Sequence, residues 1–297
     1  MNDIIKAPFP WFGGKARVAD IVWSRFGNVP NYVEPFAGSL AVLLARPHEP
    51  RIETVNGIDC YLANFWRAVR YDPAGVDHWA DWPANEADLH ARHQWLVNQD
   101  AFRERMKTDP DFYDVRIAGW WAWGIGQWIG SGWCDERRAA NGDAGKGVHR
   151  SSGVGHLTTY FEALASRLRS VRVCCGQWHR VLGESPTVKL GITGVFLDPP
   201  YGVEAGRDEV YSNDDVSLAH EVREWAIAHG DNPLLRLAIC GYEGEHDMPS
   251  SWECVAWKAG GGYGNQSDGR GRVNAGRERI WFSPHCLRQR GLFDAAP

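Results

Sequence analysis

Residues 194–201 read "GVFLDPPY", an apolar run that stops on an acid and is followed by two prolines and a tyrosine. Val195, Phe196 and Leu197 have the β-branched and aromatic character of a short buried strand. Proline carries no backbone N–H, so Pro199 and Pro200 cannot continue a central strand. The strand must end at Asp198, which leaves a carboxylate and a stiff turn at its carboxyl end. Open α/β sheets hold their ligands at that end. Asp-Pro is also an ordinary turn starter, but a turn alone does not call for an aromatic ring directly after the prolines.

The same alternation of short strands and helices extends over most of the chain. Strands are expected at 32–36, 53–58, 171–175, 194–198, 235–242, 252–259 and 277–283, and helices at 15–25, 39–46, 60–71, 158–169 and 216–229. This order predicts an α/β fold, a Rossmann-like, doubly wound and mostly parallel sheet covered on both faces. The last two strands are separated only by a glycine-rich loop, so they are expected to form an antiparallel hairpin at a sheet edge. The alternation breaks between about residues 75 and 165, which open with a polar helical pattern and end in the polar loop "RRAANGDAGKGVHRSSGVG". An insertion of this length predicts a smaller second domain, 75–165, within a main domain of 1–74 and 166–297.

With 44% hydrophobic and 23% charged residues among 297, the composition is that of a soluble globular protein. The longest apolar stretch, "IAGWWAWGIGQWIG", is too short and glycine-rich to span a bilayer, which takes about 20 apolar residues. The start of the chain lacks the layout of a secretory signal, so a cytoplasmic location and no membrane partner are expected. The seven cysteines form no CxxC pair, which points away from both a disulfide framework and a metal site. Net charge is −5, yet 135–180 carries eight Lys/Arg against four Asp/Glu, and 256–290 carries seven against two. A DNA-binding protein needs a positive face, not a positive total; an ordinary solvated surface would give the same counts. Of sixteen tryptophans, a cluster falls at 120–133, where packing of a small domain explains most of them better than base contact does.

Three further stretches bear on chemistry. In "YVEPFAGSLAVLL" (32–44), Glu34, Pro35 and Phe36 lead into a turn at Gly38, where a ligand can approach the backbone beside a helix N-terminus. In "ETVNGIDCYLANFWRAV" (53–69), Asp59 lies about 20 residues beyond Gly38, as a ribose-gripping acid does; it is equally placed to cap the helix that follows. In "PFPWFGGKARVADIV" (8–22), Gly13 and Gly14 form a tight turn before Lys15, with Trp11 beside it. This is not a P-loop, because the first glycine is missing and Ala16 stands where Ser or Thr would bind magnesium. A lysine at a helix start opposes the helix dipole, so a bound carboxylate is its expected partner.

Taken together, the lysine-bearing "GGK", "EPF-x-G", the acidic segment, the insertion and "DPPY" occur in an order that resembles the Dam-like, S-adenosylmethionine-dependent DNA adenine-N6 methyltransferases of phage and prophage type. The tail "RERIWFS" (277–283) resembles the last strand of that family, so the likeness covers nearly the whole chain. Two positions depart from the family pattern. Ser39 and Leu40 stand where a second glycine is common, and Gly57 precedes the acid, which comes two positions later as Asp59.

The resemblance implies S-adenosylmethionine as cofactor, double-stranded DNA as partner, no metal, and either a restriction endonuclease companion or a stand-alone role. It implies that Trp11, Gly13, Gly14, Lys15, Glu34, Pro35, Phe36, Gly38, Asp59 and Asp198 hold the cofactor. It further implies that Asp198 and the Pro199 carbonyl accept hydrogen bonds from the two hydrogens of the adenine amino group. Pro200 would stiffen the turn, and Tyr201 would stack on the flipped-out base. The insertion is the implied reader of DNA, with Arg137, Arg138, Lys146, His149 and Arg150 as phosphate or base-edge contacts, joined by Arg270 and Arg272 from the glycine-rich loop. Two rivals remain: a protein-glutamine N5 methyltransferase, which carries Asn where Asp198 stands, and a DNA-binding protein of this fold without catalysis.

Overall fold

Among the described residues, seven strands follow along the chain: β1 (Asn31–Glu34), β2 (Ile52–Gly57), β3 (Val171–Cys175), β4 (Thr193–Leu197), β5 (Leu235–Tyr242), β6 (Glu253–Ala256) and β7 (Glu278–Phe282). The computed structural model describes residues 5–9, 11, 14–109, 111–128, 133–134, 157–201, 216–258 and 276–288. The strands form one sheet in the order β3-β2-β1-β4-β5-β7-β6. Neighbours among β1 to β5 are parallel, whereas β7 is antiparallel to both β5 and β6. The chain thus winds outward from β1 in two directions, which makes the gap between β1 and β4 the topological switch point. The hairpin expected at the edge is present, with β7 as its inner strand.

The helices are α1 (Ala19–Phe26), α2 (Ala41–Leu44), α3 (Cys60–Tyr71), α4 (Pro73–Ala80), α5 (Glu86–Val97), α6 (Asp100–Thr108), α7 (Val115–Ile125), α8 (Leu157–Leu168) and α9 (Val216–His229). Successive side chains of the central strands serve opposite faces, as strand geometry requires. Tyr32, Phe196, Ala238 and Cys240 join one core cluster, while Val33, Val195, Leu197, Leu237 and Ile239 join another with Val222 and Ala226 of α9. At Gly194, a methyl group would stand 2.8 Å from Phe26 Cδ2, so the bare backbone of β4 is what lets α1 seat this closely.

Two expected helices are shorter than their apolar patterns suggest. The segment expected at 15–25 opens with a 3₁₀ turn, Lys15–Arg17, before α1. The one expected at 39–46 shrinks to α2, because Leu40 holds a left-handed conformation (φ 60°) that keeps the backbone out of the helix until Ala41.

Among the described residues, parts of the 75–165 segment pack directly onto the main body. Ile117 and Trp121 of α7, Val76 and Ala80 of α4, and Phe161 of α8 belong to the same core cluster as Phe65 and Trp66 of α3. Asn64 on α3 clamps the start of α7 by donating to the Asp114 carbonyl and accepting from the Asp114 N–H, at 2.9 and 2.8 Å. Among the described residues, a small satellite core, Leu89, Trp123 and Trp128 with Trp133 against it, belongs to the insertion alone. Trp121, Trp123 and Trp128 are buried, so these members of the cluster serve packing. Of the three, Trp121 packs against Phe65 of α3, whereas Trp123 and Trp128 are covered within the insertion.

At the amino edge of the sheet, Glu53 is fully buried and bridges Arg46 (3.2 Å) and Arg167 of α8 (2.6 Å). This triad ties β2 to the insertion's last helix, far from the carboxyl edge. Among the described residues, no helix is long and apolar enough to cross a membrane, and no cluster of three or more His, Cys, Asp or Glu could hold a metal.

Candidate active site

The carboxyl ends of β1, β4 and β5 and the antiparallel start of β7 meet at one end of the sheet. Register sets Glu278 directly opposite Tyr242, so an acid at the beginning of β7 reaches the same end as the acid that follows β4. Asp198 emerges from β4 immediately before Pro199, which is buried. The tip they form lies beside the switch point, where ligands of open α/β sheets bind.

Lys15 is the charge partner of this tip. Its Nζ lies 2.9 Å from Asp198 Oδ1, and the two side chains are 8% and 15% exposed. The same ammonium sits 5.1 Å from the Tyr201 ring centroid and 5.5 Å from that of Trp257. Burial by itself would lower the lysine's pKa, but the nearby Asp198 and Glu278 carboxylates outweigh it and hold the ammonium above its ordinary range. The carboxylate expected opposite Lys15 is therefore supplied by the protein. An unbalanced buried ammonium would be costly, and Asp198 is the acid within reach.

Tyr201 is buried rather than presented outward. Its hydroxyl donates to Glu278 Oε2 at 2.9 Å, and its ring meets Tyr242 edge-on at 4.7 Å. Glu278 is 3% exposed. Burial pushes its carboxyl up to about 7, against the opposing pull of the Lys15 ammonium and the Tyr201 hydroxyl. Glu34, at the end of β1, is equally buried and accepts from Tyr32 Oη at 2.9 Å. Desolvation, relieved in part by that bond and aggravated by Asp198, pushes it up to about 8, so it is largely protonated at neutral pH.

Trp11 lies against the β1–α2 turn, where a methyl group on Gly38 would overlap its indole. Gly38 has φ 47°, so the position calls for glycine on two grounds, conformation and space. Gly14 is likewise left-handed (φ 44°) just before Lys15. Pro35 is buried, with its carbonyl accepting from Asn56 Nδ2 at 3.1 Å, and Phe36 stacks on Trp178 with centroids 6.0 Å apart. Asp59 caps α3, its Oδ1 accepting from Tyr61 N (2.8 Å) and Leu62 N (3.4 Å). Of its two sequence-based roles the capping one is visible, because the chain turns into α3 directly after it.

A cleft beside these elements is bounded by Ala37, Asn56, Gly57, Leu62, Trp66 and Cys174. Its walls are mainly apolar. Asn56 donates through Nδ2 to Pro35 O and Gly176 O, while its buried Oδ1 has no hydrogen-bond partner. The cleft is narrow, with room for little more than one water, so it would have to widen before it could take the nucleoside part of S-adenosylmethionine.

Glu278, Asn56, Tyr242 and Trp257 were not singled out from the sequence. A polar residue inside the apolar run "RERIWFS" and another at the end of β2 were the available signals. Gly13, Arg137, Arg138, Lys146, His149, Arg150, Arg270 and Arg272 lie outside the described residues.

Comparison with known protein families finds none whose pattern this chain matches, and comparison with curated proteins finds no match.

Proposed function

We propose that the chain transfers a methyl group from S-adenosylmethionine to the N6 amino group of an adenine flipped out of duplex DNA. The observation that carries this reading is Asp198, a carboxylate on a proline-stiffened turn at the end of β4, paired with Lys15 at 2.9 Å beside the switch point. Trp11, Gly38, Glu34, Pro35 and Phe36 would hold the cofactor. When bound, the cofactor supplies an electrophilic methyl group.

The adenine amino group is a poor nucleophile, because its lone pair is delocalised into the ring. Asp198 and the Pro199 carbonyl accept hydrogen bonds from its two N–H groups and stabilise the positive charge that develops on nitrogen as the methyl group arrives, one of those protons leaving afterwards. Acceptors fixed in advance on a rigid turn do this with little reorganisation. The Lys15 ammonium 2.9 Å away favours the carboxylate form of Asp198, which accepts and does not donate. Stacking on Tyr201 requires its buried ring to be uncovered, and the ~1–3 kcal/mol of base stacking helps drive that step. The insertion reads the DNA, and Arg137, Arg138, Lys146, His149, Arg150, Arg270 and Arg272 supply phosphate or base contacts in a cytoplasmic protein.

The test follows tritium from methyl-labelled S-adenosylmethionine. Wild-type protein is expected to label adenine in DNA, and D198A to fall by about a hundredfold or more, the order lost with one preorganised electrostatic group. Label in protein instead would favour glutamine methylation. DNA binding without transfer would favour a protein that keeps the fold without the chemistry.

A further inference from the structure

Asp198 cannot be understood apart from a second carboxylate. Lys15 is shared between Asp198, to which it is hydrogen-bonded, and the charge of Glu278. Glu278 in turn holds the Tyr201 hydroxyl at 2.9 Å, across 77 positions of sequence. It is therefore bonded to the ring that closes the turn and acts through space, by its charge, on the lysine that grips the acid. The groups that face Glu278 are Lys15 from the 3₁₀ turn, Asp198 and Tyr201 from the β4 tip, and Glu245 from the loop after β5.

We propose that Glu278 is a positioning residue for the reaction: its negative charge draws on the Lys15 ammonium and so frees Asp198 to act as a strong hydrogen-bond acceptor, while its oxygen fixes Tyr201. The inference rests on the proposed adenine methylation at this site. When Glu278 is protonated, Lys15 has Asp198 as its nearest counter-charge, and the aspartate's electron density is tied up in that pair. When Glu278 ionises, the ammonium is balanced from two sides and Asp198 is the better acceptor for an amino hydrogen. Turnover should then rise with pH through the ionisation of Glu278, near 7. Glutamine at 278 keeps an oxygen for the Tyr201 hydroxyl but cannot ionise, which separates charge from shape.

The experiment measures kcat and KM for DNA from pH 5.5 to 9 in wild type, E278Q, Y201F and the double variant. For wild type, kcat is expected to rise through about pH 7. For E278Q it is expected to stay near the low-pH level, about tenfold below wild type at pH 8 with KM little changed, the order of effect of one nearby unit charge in a partly screened site. Glu278 and Tyr201 should couple, so the double variant should lose less than the sum of the single losses. An E278Q enzyme with wild-type kcat and an intact rise near pH 7 would overturn the inference, because a purely structural acceptor is preserved in that variant. Independently of turnover, carboxyl-carbon NMR of glutamate-labelled protein should show a resonance with a midpoint near 7 that E278Q removes; its absence from wild type would also overturn the inference. If E278Q fails to melt cooperatively, E278D restores the charge and should recover the rise. Transfer by wild type with an unaltered E278Q defeats this inference alone, whereas no transfer to adenine by wild type defeats the proposed reaction as well.

Discussion

Replacing Glu34 with glutamine should make the protein more stable at alkaline pH. Glu34 is 3% exposed and its carboxyl is pushed up to about 8 by burial, from an ordinary value of 4.5. The native state therefore holds this proton more tightly than the unfolded chain does. Stability from this group is fully present below pH 4.5 and is lost as pH rises through 8. At about 1.4 kcal/mol per tenfold change in proton affinity, the loss approaches roughly 5 kcal/mol at pH 9, of which about 2 kcal/mol has already gone by pH 6. Glutamine mimics the protonated acid and still accepts from the Tyr32 hydroxyl, so E34Q should escape this loss. The stability difference between E34Q and wild type should grow by about 3 kcal/mol from pH 6 to pH 9, or roughly 6 °C in Tm for a chain of this size. Every other titrating group is common to both proteins and cancels in the difference. Thermal and urea unfolding at matched pH values measure it directly. Parallel stability curves for the two proteins between pH 6 and pH 9 would refute the reasoning.

Three other outcomes are expected. E53Q should destabilise by about 3–5 kcal/mol, because it leaves Arg46 and Arg167 facing a buried group without charge; urea unfolding measures the loss. G38A should cost at least about 1 kcal/mol and displace Trp11, since the position has φ 47° and no room for a methyl group; Tm and S-adenosylmethionine affinity should fall together, and unchanged affinity would remove Trp11 from the cofactor site. Neutralising Arg270 and Arg272 together should flatten the dependence of DNA affinity on salt by about two phosphate contacts, and an unchanged slope would exclude them from the interface.

The strands and most helices were legible locally. β3 and β5 fall on the residues their apolar runs mark, and the proline pair ends β4 at Leu197, one residue short of the expected acid. Burial on both faces and the proline constraint act within a few residues, so short windows of sequence carry them. Trp11, Lys15, Glu34 and Asp198 were likewise marked by neighbouring glycines and prolines. The partners of these residues were not marked. For Lys15 the sequence pointed to a bound carboxylate, not to the Asp198 that β4 brings to it, and Glu278 reads as a polar interruption in an edge strand. Leu40 at φ 60° and the short α2 show the same limit, since a buried leucine in a helical pattern gives no local sign of a left-handed backbone.

The chain's own order of residues thus determined the alternating α/β sheet, the end of β4 at a stiff acidic tip, and the turns that flank it. Tertiary structure decided that α3 and α7 share one core, that Asp59 caps a helix, and that Lys15, Asp198, Tyr201 and Glu278 form one charge-balanced cluster. Strand identity follows from interactions between near neighbours, whereas the protonation and pairing of a buried charge depend on every dipole and ion the fold places around it.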